Sequence, residues 1–185
     1  GSPDDYTEIF RLSNHPRIGT IWYEVYAYTR WLTKRLREVG QLDVDTEIRL
    51  PTEHEWEASA RGPRGDFLYP WGNEFDYTKC NIKDIGSTSA VGIYPNGASE
   101  EGVHDLVGNA WSWCLTNWSE DPNEQDNNPE GEGHRVYRGG SWAFDFNTSR
   151  WREDELRCDQ RYWIKATDDR PDAIGFFIVK AARLH

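Results

Sequence analysis

The C-terminal stretch, residues 135–179, places the strongest constraint on the fold of this chain. Residues 135–138 alternate polar and apolar side chains, a pattern typical of a half-buried strand. Gly139 and Gly140 follow, and this pair permits positive φ angles, so a sharp turn or a bulge is expected there. The stretch closes on residues 174–179, an apolar run without proline that predicts a buried central strand.

Between these two strands the residues do not follow the pattern of a core element. The aromatic side chains of this segment are Phe144, Phe146, Trp151, Tyr162 and Trp163. Its charged side chains include Asp145, Arg152, Glu153, Asp154, Lys165 and Asp172. Rigid aromatic anchors with polar neighbours are typical of recognition surfaces, and a disordered loop rarely carries so many aromatics. The segment therefore predicts a binding surface, with the alternative that several aromatics simply cover this side of the domain.

Composition narrows the classes of protein to which the chain can belong. At 185 residues a single domain with a sizeable core is expected, and a net charge of −11 argues against non-specific nucleic-acid binding. No run of apolar residues is long enough for a membrane-spanning segment, and no signal peptide is present. The lack of methionine and the Gly1-Ser2 start suggest a processed or excised piece. We therefore expect residues 1–14 to be a tag remnant and an N-terminal extension, and residues 15–185 to form the domain.

Two helices are predicted in the first third of the chain. Apolar residues at three- and four-residue steps predict an amphipathic helix over residues 22–38, with Tyr28 or Thr29 on its buried face. Thr52 followed by Glu55 forms a capping box, which predicts a second helix with Trp56 packed inward. This capping role accounts for the acidic cluster around His54 without a catalytic site.

The cysteines and histidines do not form a ligand or disulfide pattern. Cys80, Cys114 and Cys158 are an odd, sparse set, so free and buried thiols are expected. No pair has the close spacing of a zinc site, and the five histidines are scattered. The sequence therefore predicts no cofactor.

Several separated blocks resemble the formylglycine-generating-enzyme, or sulfatase-modifying-factor, family in sequence and in order. The blocks are RLPTEHEWEASARG at 49–62, YPWGNEF at 69–75, GVHDLVGNAWSWCLTNW at 102–118, and RVYRGGSW with DDRPDAIGFFIV near the C-terminus. The resemblance implies an α+β, C-type-lectin-like fold of the formylglycine-generating-enzyme subtype. In that fold two helices surround a small antiparallel sheet with long loops.

The same resemblance bears on catalysis. The family oxidises a substrate cysteine with a pair of cysteines that follows the Gly-Gly-Ser-aromatic turn and carries copper between thiolates. Counted from Gly139, those two positions are Phe144 and Ser149, and neither side chain supplies a thiolate. The resemblance therefore implies a member that is not an enzyme of the family's type.

The resemblance also implies two calcium positions. One would lie near Asn81-Ile82, where Asp84 is the only nearby carboxylate. The other would lie at Asp105, Gly108, Ala110 and Ser112, and the family usually has glutamate where Ser112 stands. Calcium takes six to eight oxygen ligands, several of them charged, so the loss of that carboxylate argues against a bound ion and no metal is predicted.

The C-terminal layout resembles a narrower group, the variable proteins of diversity-generating retroelements. In these proteins a domain of this type ends in a variable region whose adenine-containing codons are altered while the surrounding residues stay fixed. The resemblance implies a variable region at residues 135–179. The implied ligand-binding positions are Ala143, Phe144, Asp145, Tyr162, Trp163, Ile164, Lys165, Pro171, Asp172 and Ala173. Asp168-Asp169-Arg170 resembles a fixed motif of that group, which implies that these residues form a turn and a salt bridge rather than contact the ligand.

The predicted function is therefore a ligand-binding display domain with a diversified C-terminal surface. A protein ligand is favoured over a sugar, because sugar binding in C-type lectins normally uses calcium and its acidic ligands. Two alternatives remain open. One is a non-diversified, catalytically inactive relative with a structural or regulatory role, and the other is an enzyme of unfamiliar chemistry.

Overall fold

The computed structural model describes residues 12–82, 85–131, 133–143, 152–167 and 172–184. Its helices are α1 (Trp22–Glu38) and α2 (Glu53–Ala60), and its strands are β1 (Thr46–Arg49), β2 (Trp111–Asn117), β3 (His134–Arg138), β4 (Tyr162–Lys165), β5 (Ile174–Phe176) and β6 (Val179–Ala182). The predicted α+β class with two helices is confirmed. No helix in the described ranges is long and apolar enough to span a bilayer.

Helix α1 has the bounds that its apolar spacing predicts. Trp22, Val25 and Thr29 are buried, whereas Tyr28 is 42% exposed, so Thr29 occupies the position that the spacing left undecided. Thr33 is also buried, and its hydroxyl is satisfied because it donates to Ile48 O at 3.0 Å and accepts from Ile48 N–H at 2.8 Å. These two hydrogen bonds fasten α1 to β1.

Helix α2 begins with the capping box that the sequence predicts. The Thr52 hydroxyl accepts from the Glu55 N–H at 3.2 Å, and the Glu55 carboxylate accepts from the Thr52 N–H at 2.8 Å. Trp56 is buried, as expected. The two hydrogen bonds satisfy donors that the first turn of a helix otherwise leaves unpaired.

The strands form a four-stranded sheet in the order β4-β3-β2-β5 and a two-stranded sheet of β1 with β6. The pairs β2–β3, β3–β4 and β1–β6 are antiparallel, as expected. The pair β2–β5 is parallel, so the larger sheet is mixed rather than antiparallel. After β2 the chain forms β3 and β4 on one side of that strand. It then crosses to the opposite side of β2, where β5 runs in the same direction as β2.

The prediction of one buried central strand over residues 174–179 is wrong. The run is divided between β5, at an edge of the larger sheet, and β6, in the smaller one, and Ile178 between them is 42% exposed. The chain at Gly19 lies beside β5, where its N–H donates to Ile174 O at 3.1 Å. An apolar run does not reveal which sheet partner each of its residues will find.

One cluster of the buried core lies between α1 and the larger sheet. Trp22 and Trp113 are almost completely buried there. The indole N–H of Trp22 donates to Cys114 O at 2.8 Å, and that of Trp113 donates to Thr20 O at 3.0 Å. This cluster therefore joins α1 to β2, an inner strand of the larger sheet.

Candidate ligand-binding surface

The three segments predicted to carry variable positions meet at one end of the four-stranded sheet. Strands β2, β4 and β5 begin at this end and β3 finishes there. In the register, Trp111 of β2 lies opposite Ile174 of β5, and Tyr137 of β3 lies opposite Tyr162 of β4. We call this end the sheet-end surface, and its predicted site residues are Ala143, Tyr162, Asp172 and Ala173.

Trp111 and the residues just before it hold the three segments together. The Trp111 N–H donates to Ala173 O at 2.9 Å, and the Trp111 ring lies 5.1 Å from the ring of Tyr162. The N–H of Trp142, next to Ala143, donates to Asn109 O at 3.2 Å. The backbone of the surface is therefore positioned by residues outside the ten predicted positions.

The described site residues differ in exposure. Ala143, Trp163, Lys165 and Asp172 are exposed, whereas Tyr162, Ile164 and Ala173 are half-buried. The predicted positions Phe144, Asp145 and Pro171 lie outside the described residues, as do Trp151 and the Asp168-Asp169-Arg170 motif.

Tyr162 and Ile164 point toward the core side of β4. Tyr162 stacks on Tyr137 with ring centroids 5.7 Å apart, and its hydroxyl donates to Glu155 O at 3.0 Å. Burial is the main cause that raises the pKa of Tyr162, with Glu155 adding to it, so this phenol stays neutral at physiological pH. Ile164 packs against the cluster around Trp22.

Trp163 faces the other side of β4 and joins an aromatic cluster that sequence reasoning missed. Its ring lies 4.3 Å from that of His134 and 6.1 Å from that of Trp118, and Trp163 is 49% exposed. The Arg161 guanidinium lies 4.6 Å from the Trp118 ring. We call Trp118, His134 and Trp163 the Trp163 cluster. Its members lie on separate segments, so only the strand register brings them together.

A buried ion-pair network supports the start of β4. The Glu53 carboxylate accepts from Arg138 Nη1 at 3.0 Å and from Arg161 Nε at 2.6 Å. Arg138 Nη2 also donates to the Glu57 carboxylate at 2.7 Å. The interpretation of these acidic residues as capping residues holds for Glu55 and misses this role of Glu53, whose partners are distant in sequence.

Comparison with known families settles which fold family this is. The model of the sulfatase-modifying factor enzyme 1-like domain matches residues 3–182. The chain belongs to this family. Membership confirms the resemblance carried by the separated sequence blocks, and it confirms the formylglycine-generating-enzyme subtype of the fold.

Relatives in the sulfatase-modifying factor family include both enzymes and proteins named as inactive. The formylglycine-generating enzyme of Thermomonospora curvata is 33% identical over 150 residues, which cover 70% of this chain and 45% of that protein. The inactive C-alpha-formylglycine-generating enzyme 2 of Mus musculus is 30% identical over 138 residues, covering 69% and 37%.

A third relative, the serine/threonine-protein kinase pkn1 of Chlamydia pneumoniae, is 30% identical over 157 residues, covering 81% of this chain. The chain spans only 22% of that kinase. Among solved structures, Treponema denticola variable protein 1 has the same fold, with a TM-score of 0.70 and 21% identity over 96% of this chain and 75% of that one.

The copper chemistry of the sulfatase-modifying factor family does not fit the residues of this chain. Phe144 and Ser149 stand where the family places its thiolates, and both lie outside the described residues. The three cysteines are free and buried, as predicted. Burial raises the pKa of Cys80 and of Cys158 to about 12 and raises that of Cys114 as well, so all three remain thiols at neutral pH.

The reactivity of the three thiols tests whether they are buried. We expect the native chain to show less than about one tenth of the reaction of the denatured chain with Ellman's reagent at pH 8, because protonated buried thiols react slowly. The same chain in 6 M guanidinium chloride, as the control, should titrate all three cysteines. Rapid reaction of one native thiol would contradict the assignment of buried, inert cysteines.

The residues at the two calcium positions of the family are also poorly suited to bind calcium. Asp105 accepts a hydrogen bond from Gly92 N–H at 2.8 Å, and burial is the main cause that raises its pKa. Asn81 O accepts from Asn109 N–H at 2.7 Å, and Asp84 lies outside the described residues. Within the described ranges, no three His, Cys, Asp or Glu side chains are grouped closely enough to hold a metal ion.

Proposed function

We propose that this domain is a non-catalytic ligand-binding domain whose C-terminal surface is diversified by a retroelement and binds varied protein targets. The observation that carries the proposal is the convergence of three separate segments on the sheet-end surface. Contacts from residues outside the predicted positions support those segments. A surface built in this way can change its side chains while its backbone stays in place.

The contacts that hold the surface do not depend on the exposed side chains. Trp111 is bound to Ala173 through the backbone, so the side chain at position 173 can change without loss of that hydrogen bond. Ala143, Trp163, Lys165 and Asp172 are exposed, and substitutions at exposed positions usually change stability by no more than about 0.5 kcal/mol. These features favour a display surface over a packed core element.

The similarity in fold to Treponema denticola variable protein 1 supports the same proposal, since that protein is named a variable protein. The loss of both thiolate positions supports a non-catalytic role. A protein target is favoured over a sugar, because the carboxylate set that calcium-dependent sugar binding requires is incomplete. Trp163 would serve as an aromatic anchor, and the charged side chains of Lys165, on the same face of β4, and of Asp172, just before β5 on the opposite edge of the sheet, would set specificity.

Sequencing the gene from a population of the source organism tests the proposal. We expect variation to concentrate in codons 143–173 and a nearby near-copy of the region to differ mainly at adenines. A codon AAC altered at its adenines can yield Ala, Phe, Asp, Tyr, Ile or Pro. Trp163 and Lys165 require other adenine-containing codons.

The structure sharpens this expectation within β4. Codons 162 and 164 should vary over a narrower, mostly apolar or aromatic set than codons 163 and 165, because Tyr162 and Ile164 pack inward. The codon for Trp111 serves as the internal control and should be invariant. Uniform sequence at all these codons, with no near-copy, would refute diversification.

A second candidate is a fixed, catalytically inactive domain with a structural or regulatory role. The relative named as an inactive formylglycine-generating enzyme favours it. The same sequencing experiment separates the two candidates, since a fixed domain would carry one sequence throughout the population.

A further inference from the structure

The outer edge of β4 presents backbone groups that no described residue satisfies. β4 pairs with β3 in antiparallel register, with Ile164 opposite Arg135. The Ala166 N–H donates to Gly133 O at 3.2 Å, which places Ala166, and by alternation Ile164 and Tyr162, in hydrogen-bonded pairs with β3. The N–H and C=O groups of Trp163 and Lys165 therefore point away from the sheet.

These outward groups have no hydrogen-bond partner among the described residues. β4 is the terminal strand of the four-stranded sheet, and neither backbone nor side-chain hydrogen bonds reach the Trp163 or Lys165 main chain from the described residues. Unpaired edge groups are a template for another extended chain, and recognition domains use such edges to bind peptide strands.

The side chains beside this edge favour particular residue types in a strand that binds there. Trp163 and Lys165 lie on the same face of β4, and His134 is directly opposite Lys165 in the register. Trp163 is half exposed beside Trp118, so an apolar side chain placed next to it would bury aromatic surface. Lys165 is exposed and can pair with a carboxylate two residues further along an added strand.

We infer that an extended segment of a protein ligand binds the free edge of β4 as a fifth strand, with an apolar residue beside Trp163 and an acidic residue beside Lys165. This inference rests on the proposed function and specifies how its target is held. Backbone hydrogen bonds to β4 do not depend on side-chain identity, so they would persist as positions 163 and 165 vary. The varied side chains would then select the target.

Charge argues against a second copy of this chain as the occupant. Each copy carries a net charge of −11, so two copies repel each other on approach. Pairing β4 with itself would also bring the Lys165 side chains of two copies onto one short ribbon. Lysine on an edge strand is a device that limits self-association of sheets. A different protein is therefore the better fit.

Selection from a displayed library of random 12-residue peptides against the full chain provides the probe. We expect the selected peptides to share an apolar and an acidic residue two positions apart. In hydrogen-exchange NMR, the amides of Trp163 and Lys165 should exchange rapidly in the free chain and at least tenfold more slowly with a selected peptide bound. The amides of Tyr162 and Ile164 should be protected in both states.

A matched pair of variants isolates the backbone contribution. Lys165→Pro removes an outward N–H, which an edge strand tolerates, whereas Lys165→Ala removes the side chain and keeps that N–H. We expect Lys165→Pro to weaken binding of a selected peptide about tenfold more than Lys165→Ala does, as the loss of a hydrogen bond implies. Retained protection of the Tyr162 and Ile164 amides in both variants would show that β4 is intact.

Several outcomes would overturn the inference. Peptides that bind without slowing exchange at Trp163 and Lys165 would place the contact elsewhere, and failure to select any peptide would show that the edge accepts no strand. Dimerisation of the free chain that Lys165→Pro abolishes would assign the edge to a second copy. None of these results bears on gene variation, so failure of this inference and failure of the proposed function remain distinguishable.

Discussion

Replacing Arg138 with methionine is expected to lower the free energy of unfolding by about 3–5 kcal/mol, the usual cost of removing one partner from a buried ion pair. Arg138 is fully buried, and its guanidinium lies 3.0 Å from Glu53, 2.7 Å from Glu57 and 2.8 Å from Cys158 O. Methionine fills much of the volume but leaves these oxygens with fewer donors. Urea denaturation measures the change.

A surface ion pair in the same chain provides the matched control. Arg35 lies 2.6 Å from Glu38, but its side chain is 55% exposed. Arg35→Met should therefore cost no more than about 1 kcal/mol. Equal losses in the free energy of unfolding for Arg35→Met and Arg138→Met would contradict the expectation that the buried ion pair contributes more to stability than the exposed one. The double variant Glu53→Gln/Arg138→Met should lose less stability than the sum of its two single variants, because the pair is removed together.

The network matters for function because it positions β4. Arg161 directly precedes β4, and its Nη2 and Nε atoms both donate to the Glu53 carboxylate. Arg138 joins the same carboxylate from the end of β3. In the proposed function, this network keeps the strand that carries Trp163 and Lys165 in place while exposed side chains change.

Local sequence patterns predicted the helices and the turn that are determined by residues close together in the chain. The bounds of α1 follow from apolar spacing, and the start of α2 follows from Thr52 and Glu55, three residues apart. The sharp turn at Gly139 and Gly140 was also predicted, and both residues have positive φ angles. The capping box and the turn depend on neighbours within a few residues, which a sequence displays directly.

Features that depend on distant partners could not be predicted in the same way. Glu53 is separated by 85 residues from Arg138 and by 108 from Arg161, so no local pattern reveals their contact. The run from Ile174 was predicted as one central strand, although its residues divide between two sheets. The Trp163 cluster likewise requires the β3–β4 register, which aligns His134 with Lys165.

The turn that leads from β3 to the sheet-end surface provides the second large expected effect. Gly139→Ala should lower the free energy of unfolding by about 3–5 kcal/mol, the combined cost of overpacking and backbone strain. Gly139 has a φ of +102°, and an added Cβ would overlap the Leu106 carbonyl oxygen and approach Trp56 Cζ2 to 3.2 Å. The Leu106 carbonyl belongs to the backbone, so it cannot move aside as the end of a side chain can.

The variant Gly131→Ala measures the cost of a positive φ angle without the steric clash that is expected at Gly139. Gly131 has a φ of +96°, close to that of Gly139, but an added Cβ there meets no atom within 4 Å. This variant should lose only about 1–2 kcal/mol, the cost of a non-glycine residue at positive φ. Parallel urea denaturation curves give the difference, and equal losses would show that the chain at Gly139 is free to shift. A larger loss for Gly139→Ala than for Gly131→Ala would mean that contact with Leu106 fixes the chain where it leaves β3, so that Ala143 at the sheet-end surface is carried by a backbone held in place.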